Sequence, residues 1–536
     1  MIPLLSLSLF SFFLRSSVAY VWPSPQLDAL ESIRWDQADR FGGLAGFILP
    51  CDFYTFGDGT GRANTADWIR TAYHDMATHD VEDGTGGLDA SIRFSEEQQR
   101  GENVGNGFQN TVEVFVSQAT RYVSIADLVA LGLITSVETC GGPIIPFRGG
   151  RIDAGEPNKP GVPEPQEDLD AHVASFARQG FTQTEMIGLV ACGHSFGGVA
   201  HADFPQSVPE LHDSNNTESV QHFDTTFGHF DNNVATEYMS GTTQNPLVVG
   251  ANDTTNSDKR IFGSDGNVTM KSFADSPDTF ASTCATLLAR MVDTVPSGVQ
   301  LTEVIEPLPI KPSRVELILD GDALKLSGFV RLFNQSDDAS RSVAIQLEDH
   351  SGKQSEKFPM PADRISETLG GRVTSAWYAF NKSDSGPPAL SINPADGVTK
   401  MRFIVNGKTE DQGGIGFAVH DSVVFSTSSC TTSNNPLKGR FDVAVRNGVN
   451  PARVYLEQEV RDDVDRIVVK EIDLTPSTQS VAAGSSYSFW SIEVTDFESY
   501  TIGAEIEGTK ISTWDSHSIF ELSPCTPKRR SALFLS

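Results

Sequence analysis

From about Leu27 to Val295, apolar residues recur three and four positions apart, the period of helices that bury one face. Caps mark two starts. Ser124-Ile-Ala-Asp127 opens the apolar run Leu128 to Leu133, and Thr182-Gln-Thr-Glu185 forms a capping box ahead of Met186 to His194. Between them Gly141 to Pro165 is rich in Gly and Pro, too irregular for a helix and suited to the wall of a site. The texture changes near Pro296, and Pro307, Pro309 and Pro312 mark a linker. Beyond it, alternating runs such as Arg314 to Leu319, Met401 to Val405 and Asp465 to Lys470 predict strands separated by Gly, Asn and Asp turns. The expected architecture is a mainly α domain over 20–300, a linker over 301–313 and a β-rich, sandwich-like region. The polar stretch Thr431 to Lys438 divides that region into modules 314–430 and 431–536. Gly57-Asp-Gly-Thr-Gly61 follows no apolar strand and reads as a turn, not a nucleotide loop.

With 536 residues the chain has room for two or three cores. A net charge of −30 excludes nucleic acid and anionic membrane surfaces as partners, because like charges repel. Ile2 to Leu14 is apolar yet too short to span a bilayer, and Ser17-Val18-Ala19 supplies small residues for a processing peptidase. A signal peptide over 1–19 and a secreted, extracellular protein are therefore expected, although Arg15 follows the apolar run where a basic residue normally precedes it. Asn-x-Ser/Thr sequons at Asn215, Asn252, Asn267, Asn334 and Asn381 agree with a glycoprotein. So do six scattered cysteines without a zinc-type spacing. No second apolar stretch reaches transmembrane length, and the tail after Lys528 is too short for a lipid-anchor signal.

The candidate chemistry centres on Asp67-Trp-Ile-Arg-Thr-Ala-Tyr-His-Asp75. On a helix Arg70 and His74, four apart, face one cavity while Asp75 points elsewhere. A fixed guanidinium beside an imidazole can move a proton and stabilise charge as an oxygen-oxygen bond breaks. Alone, such a pair is more often solvated surface. Gly86-Gly87-Leu-Asp89-Ala-Ser91-Ile92 adds an all-oxygen set suited to a hard cation, and Phe223-Asp224-Thr-Thr226-Phe-Gly-His229-Phe-Asp231 adds a second. Without further context these acids read as solvated loops. His194-Ser195 ends the second capped helix, and Ser257-Asp258 follows later.

Taken in order, these motifs resemble the plant-type haem peroxidase superfamily, specifically its secreted, fungal-like branch. Arg-x-x-x-His-Asp, Gly-Gly-x-Asp-x-Ser, Asn103 in Glu-Asn-Val-Gly, Val-Ser-x-Ala-Asp at Val123 to Asp127, Gly150-Arg-x-Asp153, Gly-His-Ser, Phe-Asp-x-Thr and Ser-Asp carry the likeness across roughly the first 300 residues. The resemblance implies haem b with His194 as axial ligand, Asp258 accepting its other ring proton and Phe223 against the imidazole. It implies that His74 shuttles the peroxide proton, Arg70 stabilises the developing charge and Asn103 fixes the His74 tautomer. Two calcium ions are implied, one at Asp75, Gly87, Asp89 and Ser91, the other at Ser195, Asp224, Thr226, the His229 backbone and Asp231. The implied activity reduces hydrogen peroxide to water while oxidising small aromatic donors such as phenols near Pro163-Glu164-Pro165.

Departures narrow the resemblance. Tyr73 stands where Phe or Trp is usual, Ala63 and Ala200 leave Asp67 alone where a manganese site needs three acids, and Leu189 replaces a surface Trp. Cys51 pairs with Cys140 by the resemblance. Within the β part Cys430 is expected to pair with Cys525, and Cys192 either joins Cys284 or stays a buried thiol. A rival is a haem-binding or cell-wall or glycan-attached protein whose β modules carry the main role. Burying Arg70, His74 and Asp258 unused is costly and weighs against it. His74-x4-His79 is no metallohydrolase motif, since its spacing parts the two imidazoles.

Overall fold

In the computed structural model, residues 20–37, 43–381, 389–477, 485–495, 498–513 and 515–525 are described. The expected signal peptide and the tail after Lys528 lie outside them. The chain forms an α domain followed by a β region. Around a central helix, Ile125–Thr139, whose residues are all buried, the other helices of the α domain pack Trp68, Phe115, Ile187, Phe196, Phe280 and Leu288 into one core. The predicted caps form. Ser124 Oγ accepts from Asp127 N, and Thr182 with Glu185 closes a reciprocal box on the helix Gln183–Gly193. Cys51–Cys140 and Cys192–Cys284 staple this domain, so the alternative of a free Cys192 thiol is corrected. Helix Pro277–Val292 packs on the helix carrying Cys192, which brings Cys284 to it. No helix among the described residues is long and apolar enough to cross a membrane.

The β region begins earlier than the linker predicts. Strand Ile310–Asp320 includes Pro312, whose partner is Val330 on strand Ala323–Phe333. Among the described residues its other edge pairs at Ile318 and Leu319, away from Pro312. A ten-stranded sheet runs across the division expected at 430/431: strand Val423–Ser426 lies parallel to Ile310–Asp320 and antiparallel to Leu437–Arg446. Thr431 to Lys438 is a bulged hairpin within that sheet, its Ser and Asn residues imitating a linker. One half of the sheet stacks on strands Val343–Glu348 and Lys400–Val405 through Leu326, Tyr378, Ile345 and Phe403. The other half stacks on Arg453–Arg461 and Ser499–Ile506 through Phe441, Val443, Leu456 and Tyr500. Cys430–Cys525 closes the second sandwich.

Charged side chains join the two parts. Glu31 and Asp36 of the first helical segment meet Lys311 and Arg331 in a buried network, and Arg121 forms a two-pronged pair with Glu457 at 2.6 and 3.0 Å.

Candidate active site

Arg70 and His74 project from helix Asn64–Met76, whose other face anchors Trp68, Ile69, Ala72 and Met76 in the core. His74 Nδ1 lies 2.6 Å from Asn103 Oδ1, and the Asn103 amide nitrogen donates to Glu97 O at 2.7 Å. That second bond turns the amide oxygen toward the ring, so Nδ1 is the donor and Nε2 is left with its lone pair. Burial, with the Arg70 charge beside it, pushes the His74 imidazole down to about 3 against a small opposing pull from Asn103. The ring is therefore a neutral base over ordinary pH. Arg70 donates to Val104 O at 3.0 Å and lies over the Phe108 ring at 4.4 Å.

His194 closes the helix Gln183–Gly193 and lines the same cavity as His74. Its Nδ1 donates to Asp258 Oδ2 at 2.8 Å, and Phe223 stacks on the ring at 4.0 Å and 13°. Asp258 is buried and also accepts from Asn245 Nδ2 at 2.7 Å. A carboxylate so held gives the imidazole anionic character and leaves Nε2 free. Arg70, His74, His194, Phe223 and Asp258 all line one cavity of about 560 Å³, with Pro163 to Pro165 at its rim. Two nitrogen bases and apolar residues such as Phe176, Leu288 and Met291 lining one cavity, with a carboxylate bonded to one base, fit a flat, metal-centred macrocycle such as haem.

The second oxygen-rich set fits a cation. Asp224 is buried; Oδ1 accepts from Thr226 N at 2.9 Å, while Oδ2 has no hydrogen-bond partner among the described residues. Burial, together with nearby Asp231 and Glu237, pushes this carboxyl up to about 7, a charge imbalance that a cation would relieve. Ser195 Oγ donates to Cys192 O and keeps its lone pairs, and His229 N bonds Thr226 O within the same turn, near Asp231. Among the described residues no three His, Cys, Asp or Glu side chains converge, so hydroxyl and main-chain oxygens would complete this shell. The first set carries the same charge imbalance, since burial and the neighbouring Asp89 and Glu97 push the Asp75 carboxyl well up, but its acceptors are already taken by N–H groups. Asp75 spends its carboxylate on the N–H groups of Asp89, Ala90 and Ile92, at 2.9, 2.7 and 2.9 Å, and the Asn158 amide nitrogen lies against Asp89 and Ser91. Gly87 sits at φ 116°, and a Cβ there would come 2.8 Å from Thr294 O, so the tight turn calls for glycine.

Asn158 and Asn245 escaped the sequence reading. Asn158 lies in the irregular passage with no motif around it. Asn245 carried a signal in Asn-Pro, since it caps helix Pro246–Val249 while its amide reaches Asp258. Asp67, the lone acid of the missing manganese site, is paired with Arg62 at 2.9 Å. Tyr73 stacks on Phe176 at 5.9 Å, and its buried hydroxyl faces the Gln179 side chain.

Residues 57–276 match the family model described as Peroxidase. A WSC domain-containing protein of Arthroderma benhamiae is 38% identical over 331 residues, covering 61% of this chain and 45% of that protein. L-ascorbate peroxidase 5, peroxisomal, of Arabidopsis thaliana is 36% identical over 131 residues, 24% of this chain and 46% of that protein. Cytochrome c peroxidase, mitochondrial, of Emericella nidulans is 32% identical over 139 residues, 25% of this chain and 38% of that protein. The chain thus spans less than half the length of each of these relatives.

Proposed function

Because its helical domain belongs to the peroxidase family, we propose that this chain is a secreted haem peroxidase that reduces hydrogen peroxide to water with electrons from small aromatic donors. The observation that carries the reading is the pairing, across one cavity, of Arg70 and the Asn103-held His74 with the Asp258-held His194. Haem bound there supplies the iron at which the peroxide bond is cleaved and the oxidising equivalents are kept.

His194 would hold the iron through Nε2, with Asp258 drawing on the Nδ1 proton and Asn245 fixing that carboxylate. Phe223 keeps the imidazole plane in place. Neutral His74 would take a proton from one peroxide oxygen at Nε2 and return it to the other, which leaves as water. Arg70 meets the negative charge that grows on the departing oxygen. Two donor molecules, each giving one electron, and two protons complete the second water. Apolar walls and Pro163 to Pro165 at the rim suit a neutral phenol.

A cation at Ser195, Asp224, Thr226, His229 O and Asp231 would brace the His194 side, because Ser195 adjoins His194. Secretion is supported by the apolar segment Ile2 to Leu14, the sequons and the three disulfides. The β region serves as a stabilising or attachment module, and its charged joints to the helical domain favour the stabilising role. Phenol oxidation by the haem-loaded full chain tests the activity. Turnover that requires peroxide and is lost in His194→Ala is expected, and a chain that folds correctly but takes up no haem would refute it.

A further inference from the structure

The loop beside His74 carries the acidic and hydroxyl groups of a calcium site, yet a side-chain amide stands at their meeting point. Asn158 Nδ2 lies 3.0 and 2.9 Å from the two carboxylate oxygens of Asp89, 3.0 Å from Ser91 Oγ and 3.4 Å from Thr78 Oγ1. A calcium ion bound to Asp89 and Ser91 at roughly 2.3–2.6 Å would fall almost on that nitrogen, whose N–H dipoles repel a cation. The amide is itself fixed. Asn158 N donates to Glu97 Oε1 at 2.5 Å, and Arg100 Nη2 donates to Asn158 O.

A second brace reaches the loop from outside. Arg93 donates through Nη1 to Ala90 O at 2.8 Å and through Nη2 to Ala154 O, while Ala154 N donates to Asp89 O at 2.8 Å. The same guanidinium donates through Nε and Nη2 to Val464 O of the β region at 3.1 and 3.0 Å. Val464 sits at the tip of the turn between strands Arg453–Arg461 and Ile467–Asp473. Asp462 stiffens that turn by accepting from Val464 N, Arg466 N and Arg466 Nε at 3.0, 2.9 and 2.8 Å.

We propose that the loop bracing His74 is metal-free in this chain: Asn158 fills the place of a calcium ion, and the β-region turn at Val464 clamps the loop through Arg93. The β region is on this account a positioning element for the peroxide side. The consequence for catalysis rests on the His74 reading, whereas metal content and loop protection are measured without turnover, so either idea can fail alone.

The test strips the full chain with a chelator, dialyses it against calcium and counts bound metal in the native protein, Asp89→Asn and Ser91→Ala. Both variants should keep the native count, and loss of one equivalent in either overturns the proposal. Hydrogen exchange of the segment around 89–93 supplies the second readout. Chelation should leave it unchanged within twofold, and Arg93→Ala should raise it tenfold or more. Loosening on chelation, or no change in Arg93→Ala, contradicts the proposal.

Discussion

Replacing Glu31 by Gln should weaken the joint between the two parts of the molecule by about 3 kcal/mol, because a buried carboxylate bridging two cations is removed while both remain. Glu31 is fully buried. Its Oε2 lies 2.6 Å from Lys311 Nζ, and its Oε1 accepts from Leu308 N at 3.1 Å and from Arg331 Nη2. Burial raises its proton affinity, but Arg331 and Lys311 outweigh that and hold the carboxyl below its usual range. An amide can turn its oxygen toward one cation only and must present N–H groups to the other. The loss is bounded because each cation keeps one acid: Lys311 has Asp28 at 3.1 Å and Arg331 has Asp36 at 2.7 Å. With a urea slope of about 3 kcal/mol/M, the unfolding midpoint should fall by about 1 M. The difference should shrink as acid protonates Glu31 in the native protein, since a depressed carboxyl contributes fully above its unfolded value and loses that contribution as pH falls through its lower folded value. A drop under about 0.2 M would show that the network contributes little and that this joint is not what ties the β region to the helical domain.

Further outcomes are expected elsewhere. His517 stacks on Phe425 at 3.8 Å, and burial lowers its imidazole to about 4, with Glu316 and Glu521 no nearer than 3.8 and 4.0 Å. The unfolded chain takes up that proton first, so stability should fall by up to about 3 kcal/mol between pH 6.5 and 4, and His517→Phe should flatten this slope in urea titrations. The double change Cys192→Ala, Cys284→Ala opens a loop of separation 92 and should cost about 2–5 kcal/mol, read as a lower unfolding midpoint. Asn103→Leu should leave haem uptake intact yet slow the reaction with peroxide by about tenfold or more in stopped-flow traces, because the His74 tautomer is no longer fixed.

The helical domain was legible because its signals are local. Ser124 and Thr182 cap where their positions say, and Arg70 and His74 share a face because four residues make about one turn. The link between His194 and Asp258, 64 residues apart, was legible only through family resemblance, since no spacing rule spans it. Partners that depend on tertiary placement were hidden. Asn158 gives no sign in sequence of filling the space between Asp89 and Ser91, and Arg93 gives none of meeting Val464 across 371 residues. The β region was harder because hairpin and linker share Ser, Thr, Asn and Pro, so Thr431 to Lys438 reads as a boundary although it lies within a sheet.

The most direct test of the central claim is the rate at which the haem-loaded full chain changes its absorption spectrum after one equivalent of hydrogen peroxide, measured for the native protein and for His74→Leu. A neutral base with its lone pair turned to the cavity predicts a fast change in the native chain, reversed by adding a phenol, and a rate lower by about a hundredfold or more in the variant with haem uptake unchanged. Equal rates in the two proteins would contradict the assignment of His74 as the acid-base group.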